Sequence, residues 1–254
     1  YNGLHIVGKN LKEIKIVTSG AGAAAIACLD LLVDMGVPLE NIFATDRDGV
    51  IHDGRKDAMH VKQGRYAQNT GMRTLAEVIK DADVFLGLSA PNVLKPELLQ
   101  TMADKPLILA LANPVPEIMP DLAQEARPDA IVATGRSDFP NQVNNVLCFP
   151  FIFRGALDVG ATTINEEMKI ATVKAIANLA RVESSDIVAQ AYGDENLNFG
   201  PGYIIPKPFD PRLISEIAPA VAKAAMASGV ATRPIADMAV SYTHLRAHET
   251  REDR

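Results

Sequence analysis

The sequence predicts an α/β fold in which a mostly parallel, doubly wound sheet is covered by helices on both faces and carries a helical C-terminal extension. Through residues 14–160, short apolar runs typical of buried parallel strands alternate with helical patterns. From residue 161 onward only helical patterns follow. Polar and glycine-rich segments follow the strands, and ligands bind at the carboxyl ends of strands in such sheets.

The elements of the predicted sheet domain succeed one another regularly. Strands are expected at residues 14–17, 41–45, 84–88, 106–111 and 130–133. Helices are expected at residues 21–35, 74–80, 95–102, 121–126 and 143–158. Gly36 directly after the first of these helices and Pro96 in the first turn of the third are typical end and start signals.

The remainder of the chain lacks strand patterns. Helical patterns are expected at residues 165–181, 186–191 and 210–228, with a Gly/Pro-rich loop at 196–208. We therefore expect four segments: a helix end from a preceding domain (1–13), the sheet domain (14–160), helices packing back on it (161–238) and a non-native tail (239–254). The tail has no core periodicity and resembles a translated sequencing adapter, so its His244 and His248 are not proposed as a metal site.

Composition restricts the classes of partner. The 254 residues carry a net charge of −6 with both signs mixed, so a nucleic acid partner is not expected. The sequence contains no apolar run long enough to span a membrane. Cys28 and Cys148 lie in apolar segments, which favours a reducing cytoplasm over a disulfide framework. Because Tyr1 is not a natural initiator, we expect the chain to be a fragment.

Two glycines and an acid indicate a dinucleotide site. Gly20, Gly22 and Ala25 follow the first strand and open a helix, where backbone N–H groups can approach a pyrophosphate. Asp46 ends the next strand, about twenty residues further on, where an acid can hydrogen-bond the adenosine ribose. It disfavours a 2′-phosphate, whereas the adjacent Arg47 can pair with one. NAD and NADP therefore remain open alternatives.

Six motifs resemble, in the same order, the NAD-binding domain of malic enzymes, closest to the bacterial type related to phosphotransacetylase fusions. They read VTSGAGAAAIACLDLL, DRDGVIHDGR, LGLSAPNVL, LALANPVPEI, ATGRSDFPNQVNNVLCFPFIFRGALD and INEEMKIATVKAIA. The resemblance implies a Rossmann-like fold and oxidative decarboxylation of (S)-malate to pyruvate by a homo-oligomer using NAD or NADP. It also places the catalytic tyrosine, lysine and metal carboxylates in segments outside this sequence. No catalytic residue or metal ligand is therefore expected here, and Mg²⁺ or Mn²⁺ only in the full-length enzyme.

The resemblance assigns binding roles to several residues. Gly20, Ala21, Gly22 and Ala23 match the phosphate-binding turn, and Ser89 and Ala90 match a loop near the cofactor ribose and nicotinamide. Asn113 matches an asparagine that contacts substrate beside the nicotinamide, and its amide can both donate and accept hydrogen bonds. Asn144 and Asn145 match a second substrate-contacting position. We favour Asn145 for the substrate and expect Asn144 to bond to backbone, because consecutive helical residues point about 100° apart.

Other residues in the same motifs have plainer interpretations. Phe149, Phe151 and Phe153 are expected to pack in the core, and Cys148 to be a small buried hydrophobe rather than a nucleophile. Arg136 remains open between an anionic ligand and a structural pair. Two alternatives to a malic enzyme fragment remain: a stand-alone dinucleotide-binding module with a sensing or structural role, and another dehydrogenase on the same fold, such as a methylenetetrahydrofolate or amino-acid dehydrogenase.

Overall fold

The computed structural model describes residues 1–55, 61–182 and 197–238. The chain divides into two compact units, Tyr1–Val143 and Asn144–Arg254. The predicted helical pattern at 186–191 and the tail at 239–254 lie outside the described residues. Within the described residues, no helix has the length and apolar character needed to cross a membrane.

The first unit is built on a six-stranded sheet. Its strands are β1 (Ile16–Ser19), β2 (Ile42–Asp46), β3 (Gly49–Val50), β4 (Val84–Gly87), β5 (Leu107–Ala110) and β6 (Ile131–Thr134). The spatial order is β3-β2-β1-β4-β5-β6, and every pairing is parallel except that of β3 with β2. This order confirms the predicted doubly wound α/β class, because the chain moves outward from β1 first in one direction and then in the other.

Among the described residues, one helix precedes the first strand, and five others lie in the connections between strands. They are α1 (Asn2–Val7), α2 (Ala23–Asp34), α3 (Val61–Gly64), α4 (Leu75–Val78), α5 (Pro96–Leu99) and α6 (Pro120–Ala126). Thr74 and Glu77 form a reciprocal capping box at the start of α4, which fixes this helix although it is only one turn long. The core is centred on strand residues with no exposed surface, including Val17, Phe85 and Ile108. Burial on both faces of the sheet explains the continuous apolar strand patterns.

The second unit is helical in its described part. A 3₁₀ turn at Asn145–Leu147 precedes α7 (Phe149–Asp158), α8 (Glu166–Arg181) and α9 (Arg212–Ala227). Helix α9 packs against both α7 and α8. The approach of α7 to α9 is close enough to require Gly155, since a Cβ there would lie 2.4 Å from the Ala218 carbonyl oxygen. The single helix predicted at 143–158 is observed as a 3₁₀ turn followed by an α-helix that carries a proline in its first turn.

The expectation that all three phenylalanines pack in the core is wrong for two of them. Phe149 and Phe153 are 64% and 44% exposed, and their rings contact each other with centroids 4.9 Å apart. Phe151 packs partly against the core, and Ile152 is buried. Because α7 is amphipathic, residues 149 and 153 share its outer face while the neighbouring turn positions face inward. Cys148 is half-buried, and this burial raises the pKa of its thiol.

Candidate functional site

A cavity of about 1010 Å³ lies at the carboxyl ends of β1, β2 and β4 in the first unit. Its size is at the upper end of the range for small-molecule sites. Seven residues predicted from the sequence line it: Gly20, Ala21, Gly22, Asp46, Arg47, Ser89 and Ala90. The fold thus brings together three separate stretches of sequence at the edge of the sheet where ligands of such folds bind.

Gly20 makes the tight bend between β1 and α2. Its φ is +106°, a backbone conformation that L side chains rarely adopt, and a Cβ would lie 2.3 Å from the Leu88 carbonyl oxygen. Its N–H donates to the Thr45 carbonyl at 2.8 Å, which ties the turn to β2. The chain's own geometry therefore requires glycine at this position.

Gly22 is different, because nothing in the described part of the chain requires a glycine there. Its φ of −77° suits any residue, and no described atom lies within 4 Å of a Cβ built on it. It is the N-cap of α2, which begins at Ala23 without a side-chain cap. The first N–H groups of α2 thus lie beside open space at the positive end of the helix, an arrangement suited to an anion such as a pyrophosphate.

The turn is also supported from the other side of the cavity. Gln63 lies in α3 and lines the cavity. Its side-chain amide donates to the Ala21 carbonyl at 2.9 Å. This bond turns the Ala21 carbonyl toward Gln63, so the oxygen is already paired with a donor. The bond also fixes the backbone between the two glycines.

Asp46 lies at the end of β2 with its side chain 22% exposed. Its Oδ1 accepts hydrogen bonds from the Asp48 backbone N–H and from Arg55 Nη2, both at 2.9 Å. Arg47 is 92% exposed, and its nearest acid is Asp48 at 3.5 Å. Asp46 is thus fixed in place by its neighbours, whereas the Arg47 side chain projects into solvent.

Arg55 is a cavity residue that the sequence did not single out. Its side chain is only 8% exposed and pairs through Nη2 with Asp46 and with Asp48 at 3.3 Å. Its Nη1 is buried and has no hydrogen-bond partner among the described residues. A buried guanidinium nitrogen without an acceptor fits an anionic ligand group at this end of the cavity. The sequence signal was the arginine that ends the motif DRDGVIHDGR.

The asparagines proposed for the substrate are exposed and do not line the cavity. Asn113 follows β5 and precedes a cis peptide bond to Pro114. Asn144 and Asn145 belong to the second unit, at the start of its 3₁₀ turn rather than within an α-helix. Asn144 Oδ1 accepts from the Val146 N–H at 3.0 Å, whereas the Asn145 side chain is exposed. The side-chain oxygen of Asn144 is thus bonded to the local backbone, as expected from the sequence.

Arg136, left open by the sequence, has a local partner. Its guanidinium donates to both carboxylate oxygens of Asp138, at 2.9 and 2.6 Å, and lies 5.6 Å from the ring centroid of Phe139. The pair lowers the pKa of the Asp138 carboxyl below its ordinary value. This geometry supports a structural role for Arg136.

The described residues contain no group of three or more His, Cys, Asp or Glu side chains that could hold a metal ion. The cavity instead offers backbone N–H groups, small residues, and two arginines paired with two aspartates. These groups can bind and orient a dinucleotide: the donors suit the pyrophosphate, and the acid suits a ribose hydroxyl.

A parallel sheet with a glycine turn at the start of a helix and an acid ending the next strand defines a Rossmann-like dinucleotide-binding domain. The chain belongs to the malic enzyme family, because residues 1–189 match the family model described as "Malic enzyme, NAD binding domain". An NADP-dependent malic enzyme of Salmonella typhimurium is 66% identical over 237 residues, which is 93% of this chain and 31% of the relative. An NAD-dependent malic enzyme of Rhizobium meliloti is 65% identical over 236 residues, with the same coverage.

Solved structures show the same family relationship. Malic enzyme from Entamoeba histolytica superposes with a TM-score of 0.85 at 36% identity, over 99% of this chain and 51% of the other. The enzyme from Pyrococcus horikoshii gives 0.82 at 36% identity, over 98% and 55%. This chain therefore spans about a third of the length of these two curated relatives and about half of these two solved chains.

Proposed function

We propose that this chain is the NAD(P)-binding portion of an enzyme that oxidises and decarboxylates (S)-malate to pyruvate and CO₂, reducing NAD(P)⁺. The cavity carries the proposal, because it joins the glycine turn, the ribose-binding acid and the Ser89–Ala90 loop at one sheet edge. Because the chain spans 31% of the length of the Salmonella typhimurium relative, the malate reaction is proposed for a longer protein.

Each part of the cavity has its own task. The N–H groups from Ala21 to Ala23 bind the pyrophosphate at the positive end of α2. Asp46 accepts a hydrogen bond from an adenosine ribose hydroxyl through the oxygen that Arg55 does not engage. Ser89 and Ala90 are small, so the loop after β4 lets the second ribose and the nicotinamide approach the sheet closely.

The proposed substrate contacts are Asn113 and Asn145. An asparagine amide can donate to a malate carboxylate and accept from its hydroxyl, which orients C2 toward the cofactor. A bound NAD(P)⁺ would supply the hydride acceptor for oxidation at C2. Asn144 does not contact the substrate; its bond to the Val146 N–H supports the turn that carries Asn145. Neither asparagine takes a proton, so we assign no acid or base to this chain.

Several features of the longer protein are also part of the proposal. We infer a homo-oligomer in the cytoplasm that uses Mg²⁺ or Mn²⁺ bound outside the described residues. Malate is the small-molecule partner. The named relatives divide between NADP-dependent and NAD-dependent enzymes at nearly equal identity. Overall identity to these relatives therefore does not separate NAD from NADP as the cofactor.

Two measurements on the purified 254-residue chain test the proposal. Equilibrium dialysis should detect weak binding of NAD⁺ or NADP⁺. An assay that follows reduced nicotinamide and pyruvate should detect no malate turnover, since the proton-transfer groups and metal ligands are not among the residues assigned here. Absence of binding at millimolar cofactor would contradict the cofactor role. Malate-dependent pyruvate formation would show that catalytic groups had been missed.

A further inference from the structure

Glu117 is a fully buried carboxylate that none of the roles above uses. It lies in the loop between β5 and α6 with 0% of its surface exposed, and no ion pair involves it in the described part of the chain. Burial of an acid without a cation is costly unless hydrogen bonds satisfy its oxygens. Hydrogen bonds from backbone N–H groups behind the cavity wall offset this cost for Glu117.

Both oxygens of Glu117 accept hydrogen bonds from the ends of two neighbouring strands. Oε1 accepts from the Ser89 backbone N–H at 2.8 Å, in the loop after β4. Oε2 accepts from the Ala112 backbone N–H at 3.0 Å, in the loop after β5. Ala112 directly precedes Asn113, so a single side chain links the cofactor loop to the loop of a proposed substrate residue.

The link extends to the strand that carries the glycine turn. Ser89 Oγ lies 3.4 Å from Glu117 Oε1 and 2.7 Å from Ser19 Oγ at the end of β1. Ser19 and Ser89 both line the cavity. A continuous path of polar contacts thus connects the ends of β1, β4 and β5 through Glu117.

Main-chain contacts hold Glu117 in place. Its carbonyl accepts from the Leu94 N–H at 3.0 Å, and that of Pro116 accepts from the Asn92 N–H at 3.1 Å. Gly87, the last residue of β4, provides the room, since a Cβ there would lie 2.4 Å from Glu117 Cδ. The carboxyl group is therefore packed directly against the end of β4.

The strand order indicates which half of a dinucleotide would lie over Glu117 and the loops that it bonds. Asp46 at the end of β2 lies on one side of β1, whereas Ser89 after β4 lies on the other. A dinucleotide whose pyrophosphate lies at the β1 turn and whose adenosine lies at Asp46 must place its nicotinamide half over β4. Glu117 thus lies behind the part of the wall that meets the nicotinamide half.

We propose that Glu117 is a positioning residue that fixes the Ser89–Ala90 wall against the glycine turn and the Asn113 loop, so that the wall fits the nicotinamide half of the cofactor. The inference rests on the proposed cofactor role of the cavity. Glu117 acts through Ser89 and Ala112 and does not touch the cofactor.

Glu117→Gln tests this with a side chain of nearly the same shape. Glutamine has one acceptor oxygen and one amide nitrogen, so its NH₂ group must face one of the two N–H donors. The probes are NAD⁺ and ADP, which share the adenosine diphosphate but differ in the nicotinamide half. Binding is followed by calorimetry on the 254-residue chain at a temperature where every variant is folded. The control is Glu125→Gln, an exposed acid in α6 of the same unit.

We expect Glu117→Gln to weaken NAD⁺ about tenfold, as for loss of one charged hydrogen bond, and to leave ADP binding unchanged. Equal losses for both ligands would indicate a general structural effect and overturn the inference. So would unchanged NAD⁺ binding, or a wild-type chain that binds NAD⁺ no better than ADP. A wild-type chain that binds neither ligand would instead overturn the proposed function together with this inference.

A second variant applies if Glu117→Gln does not fold. Ser89→Ala keeps Glu117 and its two backbone bonds and removes the contacts of the Ser89 hydroxyl with Ser19 and with Glu117 Oε1. We expect a loss of about threefold for NAD⁺ and none for ADP, because the loop stays anchored by its backbone. Equal losses for both ligands, or none for NAD⁺, would overturn the positioning role.

Discussion

Arg55 provides the sharpest test of how the cavity meets the adenosine end of the cofactor. We predict that Arg55→Met weakens binding of 2′,5′-ADP far more than binding of 5′-AMP. These two ligands differ only in the 2′-phosphate. In the structure, Arg55 neutralises Asp46 at 2.9 Å and has a second nitrogen without a partner among the described residues. The substitution leaves the Asp46 charge facing the added phosphate.

The size of the effect follows from the exposure of the pair. Two unit charges about 4 Å apart interact with about 1 kcal/mol in water and about 4 kcal/mol near a protein surface. Arg55 and Asp46 are 8% and 22% exposed, so water screens charges at this position less than in bulk and the interaction exceeds its value in water. A loss of about 2 kcal/mol corresponds to a change of about thirtyfold in the ratio of the two dissociation constants.

Calorimetric titration of both ligands measures this ratio directly. Arg65→Met is the matched control, because Arg65 also pairs with an aspartate, Asp30 at 2.7 Å, but does not line the cavity. The control should leave the ratio unchanged. If Arg55→Met weakened both ligands equally, or neither, Arg55 would have no part in contacting a 2′-phosphate. Choice between NADP and NAD would then depend on other residues.

Three further predictions concern the turn, the substrate and the second unit. Gly20→Ala should lower the free energy of unfolding by at least about 1–2 kcal/mol and abolish cofactor binding, because the alanine Cβ would overlap the Leu88 carbonyl; an unchanged denaturation midpoint would refute this. In the full-length enzyme, Asn113→Ala should impair malate use more than cofactor binding, and unchanged malate kinetics would remove Asn113 from the site. Ile152→Ala should destabilise the chain by about 2–5 kcal/mol and Phe153→Ala by much less, since only Ile152 is buried; equal shifts in thermal unfolding would contradict the observed orientation of α7.

The sheet and most of the cavity were predictable because their signals are local. Strands buried on both faces leave continuous apolar runs, and the two glycines of the turn lie only one residue apart in the sequence. The two-residue strand β3 was missed because it is too short to carry any periodicity. The prediction that Phe149 and Phe153 pack in the core was wrong because it rested on their aromatic character. Their four-residue spacing places both on one face of α7.

Arg55 and Glu117 show why the rest was not predictable. Arg55 pairs with an acid nine residues earlier across a turn, and Glu117 bonds to a backbone group 28 residues earlier. Neither spacing corresponds to a helical or strand period, and backbone partners leave no pattern in the sequence. Both lie within motifs that the family resemblance identified, but a motif does not reveal which of its residues face a cavity and which are buried behind its wall.

The central claim is that the glycine turn, Asp46 and the Ser89–Ala90 loop form one dinucleotide site. Titration of the ¹⁵N-labelled 254-residue chain with NADP⁺ and with NAD⁺, followed by amide NMR, tests it most directly. Resonances of Gly20 to Ala23, Asp46 and Ser89 should shift together with a common dissociation constant, while buried residues of α9 stay unchanged. No shift at millimolar cofactor, or shifts confined to other parts of the chain, would contradict the account.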